Sequence, residues 1–373
     1  MFPRAALLTV ALATVGTVAH AAPRSNPSPG ATILCYHIVQ SPRDTLFSVD
    51  RDVFLQQMQY LASSGYNVIP LSDLVDYVTG KRDSIPENSV VITVDDGWRS
   101  TYTEIYPVMQ RFRFPFTVFV YPKIIERTSY ALTWSQIREM ADQGVDIESH
   151  TFSHAYLTRR KQSHLDAAAY RKWLRTELGG SRELLEEKTG RPVRYLAYPY
   201  GDYDDRLAAA VAEHGYEAAL TSNFGAVGRG HNPLQLRRVM IFAETGFDSF
   251  RRLLGAGSLA LTHMTPSPGR ELDLQRPVVS ARIANPDSID PSSVRMALPA
   301  LGTGHAFFDR RDGTVSLVVR DELKGRVQRA VVWGTDRKTG KRVEASWTFY
   351  VAADRPPETE VSGIAAKRDT RGR

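Results

Sequence analysis

The sequence predicts an α/β domain with a parallel sheet or barrel, followed by a smaller all-β domain. From about residue 31 to residue 263, short β-like runs alternate with segments whose apolar residues repeat at helical spacing. Repeated β–α units fold into a parallel sheet whose chemistry lies at the carboxyl ends of the strands. From about residue 276 to residue 351, short alternating runs replace the helical period. A chain of 373 residues is long enough for two hydrophobic cores.

The β-like runs of the first domain are short and mostly apolar. They are residues 32–36, 68–69, 89–94, 117–121, 145–148, 195–198, 218–221 and 258–262. Helical spacing recurs between them, in residues 54–61, 71–78, 102–112, 134–143 and 163–188. We therefore expect the last parallel strand to end just before His263.

The β-like runs of the second domain are residues 278–283, 294–298, 314–319 and 346–351. Turn-forming pairs, such as Asp312-Gly313 and Thr339-Gly340, separate them. This pattern predicts a small antiparallel β-sandwich. Its Trp333 and Trp347 are expected to be core or strand-face residues rather than platforms for a sugar.

The two termini are expected to lie outside the folded domains. A basic start, an apolar run over residues 5–19 and the sequence Ala19-His20-Ala21 are typical of a signal peptide over residues 1–21. Residues 22–30 would then form a linker, and residues 356–373 a basic, disordered tail. No later run is long and apolar enough to span a membrane. We expect an exported protein, either periplasmic or extracellular.

Charge and cysteine content exclude several classes of protein. The net charge of +6 is modest, and the basic residues are scattered without the aromatic-interleaved stripe that is typical of nucleic-acid binding. No nucleic-acid partner is expected. Cys35 is the single cysteine, so no intrachain disulfide can form, and the residue is expected to pack in the core.

Two acidic residues and two histidines follow β-like runs. Asp95-Asp96-Gly97 comes after residues 89–94, and His150 and His154 come after residues 145–148. One carboxylate and two imidazoles can bind a divalent metal on three sides, which leaves the second carboxylate to act as a base. Taken separately, an Asp-Gly pair is a common turn, and two histidines at this spacing are a common helix feature. Together they predict a metal-dependent hydrolase.

Two other classes of protein use similar residues. A non-haem iron oxygenase also binds its metal with two histidines and one carboxylate, although the spare Asp95 favours hydrolysis. A non-catalytic, matrix-binding protein with a decayed site is the other alternative, and the intact set of titratable residues argues against it.

Two further segments end near the same edge of the predicted sheet. Tyr198-Pro199-Tyr200-Gly201 follows a strand and would bring a backbone N–H and an aromatic wall to a groove, although turn formation alone also explains it. Leu261-Thr262-His263 places a histidine just beyond the last expected strand. A surface or capping role is the alternative for that histidine.

In this order, these four motifs resemble those of the polysaccharide deacetylase family, the NodB homology domains of carbohydrate esterase family 4. The resemblance covers residues 31–264. It implies a distorted (β/α) barrel of the NodB type over residues 31–265. Beyond the resemblance, we expect a linker over residues 266–275 and an immunoglobulin-like sandwich over residues 276–355. Tyr36-His37 and residues 47–54, 65–70 and 132–134 resemble the exported subgroup that deacetylates poly-β-1,6-N-acetylglucosamine in biofilm matrix.

The resemblance assigns roles to the first two motifs. Asp96, His150 and His154 would bind the metal, with zinc expected first and cobalt or nickel as alternatives. Asp95 would be the base that accepts a proton from the attacking water. The metal would lower the pKa of that water.

The resemblance also assigns roles to the last two motifs. The backbone N–H of Tyr200, beside Pro199, would hold the oxyanion and the substrate. His263 would be the acid that protonates the leaving amine.

One departure from the family pattern concerns the residue that orients Asp95. The family commonly has an arginine two positions before the proline of the third motif, where this chain has Ala197. Arg237 and Arg238 are candidates to replace it, and Arg238 is preferred. The same arginine tends to be absent from the poly-N-acetylglucosamine subgroup.

The predicted function is the removal of N-acetyl groups from an N-acetylglucosamine-containing polysaccharide, with release of acetate. Poly-β-1,6-N-acetyl-D-glucosamine is the preferred substrate, and peptidoglycan, chitin oligomers and acetylated xylan are the alternatives. The β-sandwich would contact an envelope or matrix partner.

Overall fold

The computed structural model describes residues 30–42, 45–158, 162–255, 257–273, 276–299, 302–303, 306–323 and 327–351. The expected signal peptide and the expected basic tail lie outside the described residues. Within the described ranges, no helix has both the length and the apolar character needed to cross a bilayer.

The first part of the chain folds around an eight-stranded parallel sheet with strand order β10-β1-β5-β6-β7-β8-β9, in which β4 also pairs with β5. β2 and β3 form a separate pair. The strands are β1 (Thr32–Tyr36), β2 (Ile38–Val39), β3 (Ser48–Val49), β4 (Asn67–Val68), β5 (Ser89–Val94), β6 (Thr117–Val120), β7 (Asp146–Ser149), β8 (Tyr195–Ala197), β9 (Ala218–Leu220) and β10 (Val239–Met240). The predicted α/β architecture is thus confirmed as an incompletely closed barrel of parallel strands.

Helices connect these strands and cover the sheet. They are α1 (Arg51–Ser63), α2 (Leu71–Val78), α3 (Tyr106–Phe112), α4 (Trp134–Asp142), α5 (Ala167–Arg175), α6 (Ser181–Thr189), α7 (Asp205–Glu213) and α8 (Phe247–Gly255). The single helix predicted over residues 163–188 is present as α5 and α6, joined by a π-helical segment, Thr176–Gly180.

The apolar runs of the sequence become strands that are buried on both faces. Along β5, Ile92 and Val94 belong to one apolar cluster, whereas Val91 belongs to another on the opposite face. Parallel strands covered by helices on both sides are expected to be apolar almost throughout. This is why β5 reads as a continuous apolar run rather than as an alternating pattern.

Polar side chains define where several helices begin. Thr133 and Gln136 form a reciprocal capping box at the start of α4. The side chains of Asp166 and Asp204 accept backbone N–H groups at the starts of α5 and α7. Each cap satisfies N–H groups that the first helical turn leaves without a partner.

The second part of the chain is all-β, as predicted. It has a six-stranded sheet, with order β11-β20-β19-β15-β16 and β13 paired to β20, and a four-stranded sheet, with order β12-β14-β18-β17. The strands are β11 (Gly257–Ser258), β12 (Leu261–Thr265), β13 (Glu271–Leu272), β14 (Val278–Ile283), β15 (Arg295–Leu298), β16 (Gly302–Thr303), β17 (Phe307–Asp309), β18 (Thr314–Val318), β19 (Val327–Thr335) and β20 (Arg342–Val351).

The two sheets share one apolar core. Trp347 is 1% exposed within it, in agreement with the expected core role, and its Nε1–H donates to the carbonyl of Pro266 at 2.9 Å. β20 pairs in parallel with β11 and β13 as well as antiparallel with β19. The immunoglobulin-like topology therefore stays a prediction.

The segment expected to be the last parallel strand differs from the prediction. Instead of joining the parallel sheet, β12 pairs antiparallel with β14 in the all-β part. Leu261 is buried, but Thr262 and His263 are exposed. A strand with a wet face fits the edge of an antiparallel sheet, whereas a parallel sheet buries both faces of its strands. The short β10, which the apolar pattern did not predict, pairs with β1 instead.

The two parts of the chain are joined by hydrogen bonds next to the sheet edge. The backbone N–H of Ser346, on β20, donates to the carbonyl of Phe224 at 3.0 Å, and the N–H of Phe224 donates to Ser346 Oγ at 2.8 Å. Thr348 Oγ1 donates to Asn223 Oδ1 at 3.0 Å. Strand β20 therefore holds the loop that follows β9.

Candidate active site

The expected metal-binding and basic residues lie at the carboxyl ends of neighbouring strands. Asp95 and Asp96 follow β5, His150 follows β7, and β6 lies between these two strands. Parallel strands end at the same edge, so side chains that are distant in sequence meet there. The left-handed backbone region, which non-glycine residues rarely adopt, is used at this edge by Asp96 (φ 78), Thr151 (φ 65), His154 (φ 58) and Tyr200 (φ 60).

Asp96, His150 and His154 converge on one point. His154 Nε2 lies 3.3 Å from Asp96 Oδ1, and His150 Nε2 lies 3.5 Å from the same oxygen. One ligand atom from each of the three residues falls within 4.8 Å of the others. Asp96 Oδ1 is buried and has no hydrogen-bond partner in the protein. A buried oxygen without a partner, facing two imidazole nitrogens, fits a divalent cation with mixed oxygen and nitrogen ligands.

Surrounding groups orient these three side chains. His150 Nδ1 lies 2.8 Å from the carbonyl of Ala197, which can only accept a hydrogen bond, so Nδ1 carries the proton and Nε2 presents its lone pair. Trp98 Nε1–H donates to Asp96 Oδ2 at 2.9 Å, which leaves Oδ1 for the metal. Burial and the neighbouring His150 lower the pKa of His154 to about 4. His154 is therefore neutral near pH 7, as a ligand must be.

Asp95 forms a buried ion pair instead of joining the metal-binding set. Arg238 Nη1 lies 2.7 Å from Asp95 Oδ1, and both side chains are 2% exposed. Burial alone would raise the pKa of Asp95, but the guanidinium of Arg238, with smaller contributions from His150 and His37, lowers it well below the ordinary value. Asp95 is therefore ionised, with Oδ2 turned toward His150 Nε2 at 3.8 Å.

The structure distinguishes the two arginines that were candidates to replace the one missing at Ala197. Arg238 directly precedes β10, the neighbour of β1, and its Nε also donates to the carbonyl of Thr221 at 3.0 Å. Arg237 points elsewhere, with Nη1 3.4 Å from the carbonyl of Leu259. Adjacent residues on an extended chain project to opposite sides, so only one of the two can reach Asp95.

The Tyr198-Pro199-Tyr200 segment lies beside the metal-binding set. Tyr200 is 56% exposed, and its ring lies 4.6 Å from the ring of His154 and 3.9 Å from that of Tyr156. Pro199 is buried and begins the short helical turn Pro199–Gly201. Tyr200 therefore provides an aromatic wall at the mouth of the site.

His263 does not meet the other predicted site residues. It is an exposed residue of β12, and its Nδ1 lies 3.2 Å from the hydroxyl of Thr262. It does not line the cavity that contains Asp95. The reason is the antiparallel pairing of β12 with β14, which places this segment in the all-β part.

The structure brings a different histidine into the site. His37 follows β1, which pairs in parallel with β5, and so reaches the same edge as Asp95. Its Nδ1 is buried without a hydrogen-bond partner, and a nitrogen of its ring lies within 4.8 Å of a carboxylate oxygen of Asp95. Burial lowers the pKa of His37, while the carboxylates of Asp95 and Asp96 act in the opposite sense. Its position directly after the first buried strand is the sequence signal that could have identified it.

A cavity of about 280 Å³ lies between the predicted metal-binding residues, Asp95, Arg238 and His37. Its polar walls contain the two acids, the three histidines and Arg238, and its apolar side contains aromatic residues and a methionine. The residues that complete the lining are Phe47, Tyr198, Tyr200, Gly201, Ser222, Met240, Phe242 and Arg329.

Comparisons with known proteins agree with this arrangement. Residues 82–219 match the model of the polysaccharide deacetylase family. A putative polysaccharide deacetylase of Bacillus subtilis is 29% identical over 213 residues, which cover 56% of this chain and 70% of that protein. A poly-β-1,6-N-acetyl-D-glucosamine N-deacetylase of Escherichia coli is 25% identical over 236 residues, which cover 53% of this chain and 35% of that protein.

A solved structure shows the same similarity. The structure of IcaB from Ammonifex degensii superposes with a TM-score of 0.54 at 26% identity and covers 61% of this chain and 96% of that one. The family match includes Asp95, Asp96, His150 and His154, whereas Arg238 lies beyond its end.

The buried ion pair leads to a prediction about stability. In Arg238→Met, Asp95 would remain buried without its cation, so the free energy of unfolding in urea should fall by about 3 to 5 kcal/mol. The control is Arg82→Met, because Arg82 pairs with Asp73 at 3.0 Å on the surface. That change should cost less than about 1 kcal/mol. Equal losses in the two variants would contradict a structural role for the buried pair.

The cluster of Asp96, His150 and His154 leads to a prediction about metal content. His150→Ala should bind less than about a tenth of the zinc that the unaltered protein retains after dialysis, measured by elemental analysis. His214→Ala is the matched control, since His214 Nδ1 also contacts a backbone carbonyl at 2.8 Å but lies outside the cluster. Full zinc content in the His150 variant would rule out this site.

Proposed function

This chain belongs to the polysaccharide deacetylase family, and we propose that it is a metal-dependent hydrolase that removes N-acetyl groups from an N-acetylglucosamine-containing polysaccharide. The proposal rests on one observation: a single cavity contains two carboxylates that have different partners. Asp96 faces two histidines, while Asp95 is held by Arg238. Metal binding and proton transfer are thus assigned to different carboxylates.

Poly-β-1,6-N-acetyl-D-glucosamine is the proposed substrate. The names of the relatives in Escherichia coli and Staphylococcus epidermidis support this choice. Peptidoglycan, chitin oligomers and acetylated xylan are the alternatives, and acetate release from a panel of defined glycans decides among them. A non-catalytic, matrix-binding role is the alternative of another class.

Asp95 is the proposed general base. Arg238 occupies Asp95 Oδ1, so Oδ2 is the oxygen free to accept a proton from the attacking water. Arg238 also keeps the carboxylate ionised and fixes its orientation. A divalent ion bound by Asp96, His150 and His154 would lower the pKa of that water and polarise the acetyl carbonyl. Zinc is the proposed metal, with cobalt or nickel as alternatives.

The departing nitrogen needs a proton, and His37 is the proposed donor. It lies beside Asp95 inside the cavity, whereas His263, for which the family resemblance implied this role, is exposed on β12. Burial lowers the pKa of His37, so the carboxylates of Asp95 and Asp96, which act in the opposite sense, are what would keep its imidazole protonated for this role. The products are acetate and the free amine of the sugar.

Tyr200 and Pro199 are proposed to complete the site. The left-handed conformation of Tyr200 turns the backbone at the cavity mouth, and its ring covers His154. Its N–H is the proposed donor to the oxyanion. We also propose that the protein is exported to the periplasm or cell exterior, with the all-β part facing an envelope or matrix partner.

The separate roles of the two carboxylates lead to a kinetic prediction. The zinc-loaded protein should release acetate from N-acetylglucosamine oligomers, and Asp95→Asn should keep its zinc but lose about 10² to 10⁴-fold in rate, the usual contribution of a general base. Asp96→Asn should lose zinc as well as activity. Measurements of acetate and bound zinc test both statements. Loss of zinc in both variants would show that the roles are not divided in this way.

The choice between the two histidines leads to a second kinetic prediction. His37→Ala should slow cleavage of the amide by about 10² to 10⁴-fold but hydrolysis of an activated aryl acetate much less, because a phenolate departs without a proton. His263→Ala is the matched control and should leave both rates within about twofold. The reverse pattern would return the acid role to His263.

A further inference from the structure

One residue of the all-β part lines the same cavity as the proposed catalytic residues. Arg329, on β19, is one of the lining residues, together with His37, Met240 and Phe242. Its neighbours Gln328 and Ala330 are buried in the β core, whereas Arg329 is exposed on the opposite face of the strand. Successive residues of a strand alternate between faces, so Arg329 points away from its own domain's core.

The position of Arg329 is fixed by bonded neighbours. It lies directly opposite Thr348 in the β19–β20 pairing, and side chains opposite each other share a face of the sheet. Thr348 Oγ1 donates to Asn223 Oδ1 at 3.0 Å, and the carbonyl of Asn223 accepts the N–H of Arg238 at 2.9 Å. Hydrogen bonds therefore link Thr348, the residue opposite Arg329, to the arginine that holds Asp95.

The positive charge of Arg329 has no described carboxylate as an ion-pair partner inside the cavity. Among the residues that the structure describes, no carboxylate forms an ion pair with it. Asp95 is paired with Arg238, and Asp96 faces two histidines. Arg329 thus adds a positive charge and several hydrogen-bond donors to the wall, and it has no carboxylate partner within the described ranges of the chain.

We propose that Arg329 is a specificity-determining residue that selects glycans with an N-acetylated sugar next to the one being deacetylated. Its guanidinium donates to the uncharged carbonyl or hydroxyl oxygens of that neighbouring sugar, and it repels a free ammonium group there. This inference rests on the proposed function. Each reaction converts an acetamide and water into acetate and an amine, so the product becomes a poorer neighbour for the next reaction.

Coulomb's law sets the expected size of the effect. Two like charges about 5 Å apart repel by roughly 1 kcal/mol in water and by roughly 3 kcal/mol near a protein surface, so discrimination between about fivefold and about 100-fold is expected. Uncharged oxygens carry no such penalty. The discrimination should therefore depend on the charge of residue 329 and on the protonation of the sugar amine.

The test compares two tetrasaccharides of N-acetylglucosamine, one fully acetylated and one with a glucosamine beside the reactive sugar. The zinc-loaded full chain should show a kcat/KM about tenfold higher for the first. Arg329→Lys should keep most of this preference, and Arg329→Gln should reduce it to within about twofold. Arg311→Gln is the matched control, because the Arg311 side chain is 94% exposed in the same part of the chain.

Equilibrium binding provides a readout that needs no turnover. Chelator-treated full chain should bind the acetylated tetrasaccharide more tightly by calorimetry, and the difference should shrink at a pH where the amine is neutral. An unchanged ratio in Arg329→Gln, or an equal change in Arg311→Gln, would overturn the inference. If the zinc-loaded protein releases no acetate from any glycan, the proposed function fails, while the binding ratio still decides the role of Arg329. Equal binding of the two tetrasaccharides would overturn that role.

Discussion

The buried ion pair between Arg238 and Asp95 is the interaction on which the rest of the site depends. Removing two charges from water costs several kcal/mol each, and only close pairing with further hydrogen bonds repays it. Arg238 meets this requirement through Asp95 and the carbonyl of Thr221. Its backbone N–H donates to the carbonyl of Asn223, in the loop that β20 holds. The same pair keeps Asp95 ionised and leaves its second oxygen available.

The predicted metal-binding residues also include a buried carboxylate that needs a positive partner, in this case a metal cation. Asp96 Oδ1 is buried and has no hydrogen bond, and His150, whose Nδ1–H is directed at the carbonyl of Ala197, turns an unprotonated Nε2 toward it. Such an arrangement is costly unless a cation completes it. The left-handed backbone at Asp96 and His154 adds local strain that the surrounding barrel must support. Backbone strain and a buried oxygen without a hydrogen-bond partner therefore lie at the same edge of the sheet.

The all-β part packs beside the edge of the parallel sheet where the site lies, and it also contributes a residue to the cavity there. Ser346 and Thr348 bond to the loop that follows β9, and Arg329 reaches the cavity from the neighbouring strand. Residues of both parts therefore line one cavity. In the proposed function, catalysis would lie on the parallel sheet and selection of the polymer on the added sheets.

The sequence by itself predicted β1, the strands from β4 to β9, the helical segments between residues 54 and 188, and the all-β character of the second part, because apolar period and turn residues are local properties. It did not predict the short pair of β2 and β3 or helix α7. It also identified Asp95, Asp96, His150 and His154, since each follows a buried strand. Only the tertiary structure decided that Arg238 rather than Arg237 pairs with Asp95, and that His37 rather than His263 enters the cavity. Strand order and pairing direction decide these outcomes: β1 lies beside β5, whereas β12 pairs with β14. Such pairings join residues far apart in sequence, so no local pattern encodes them.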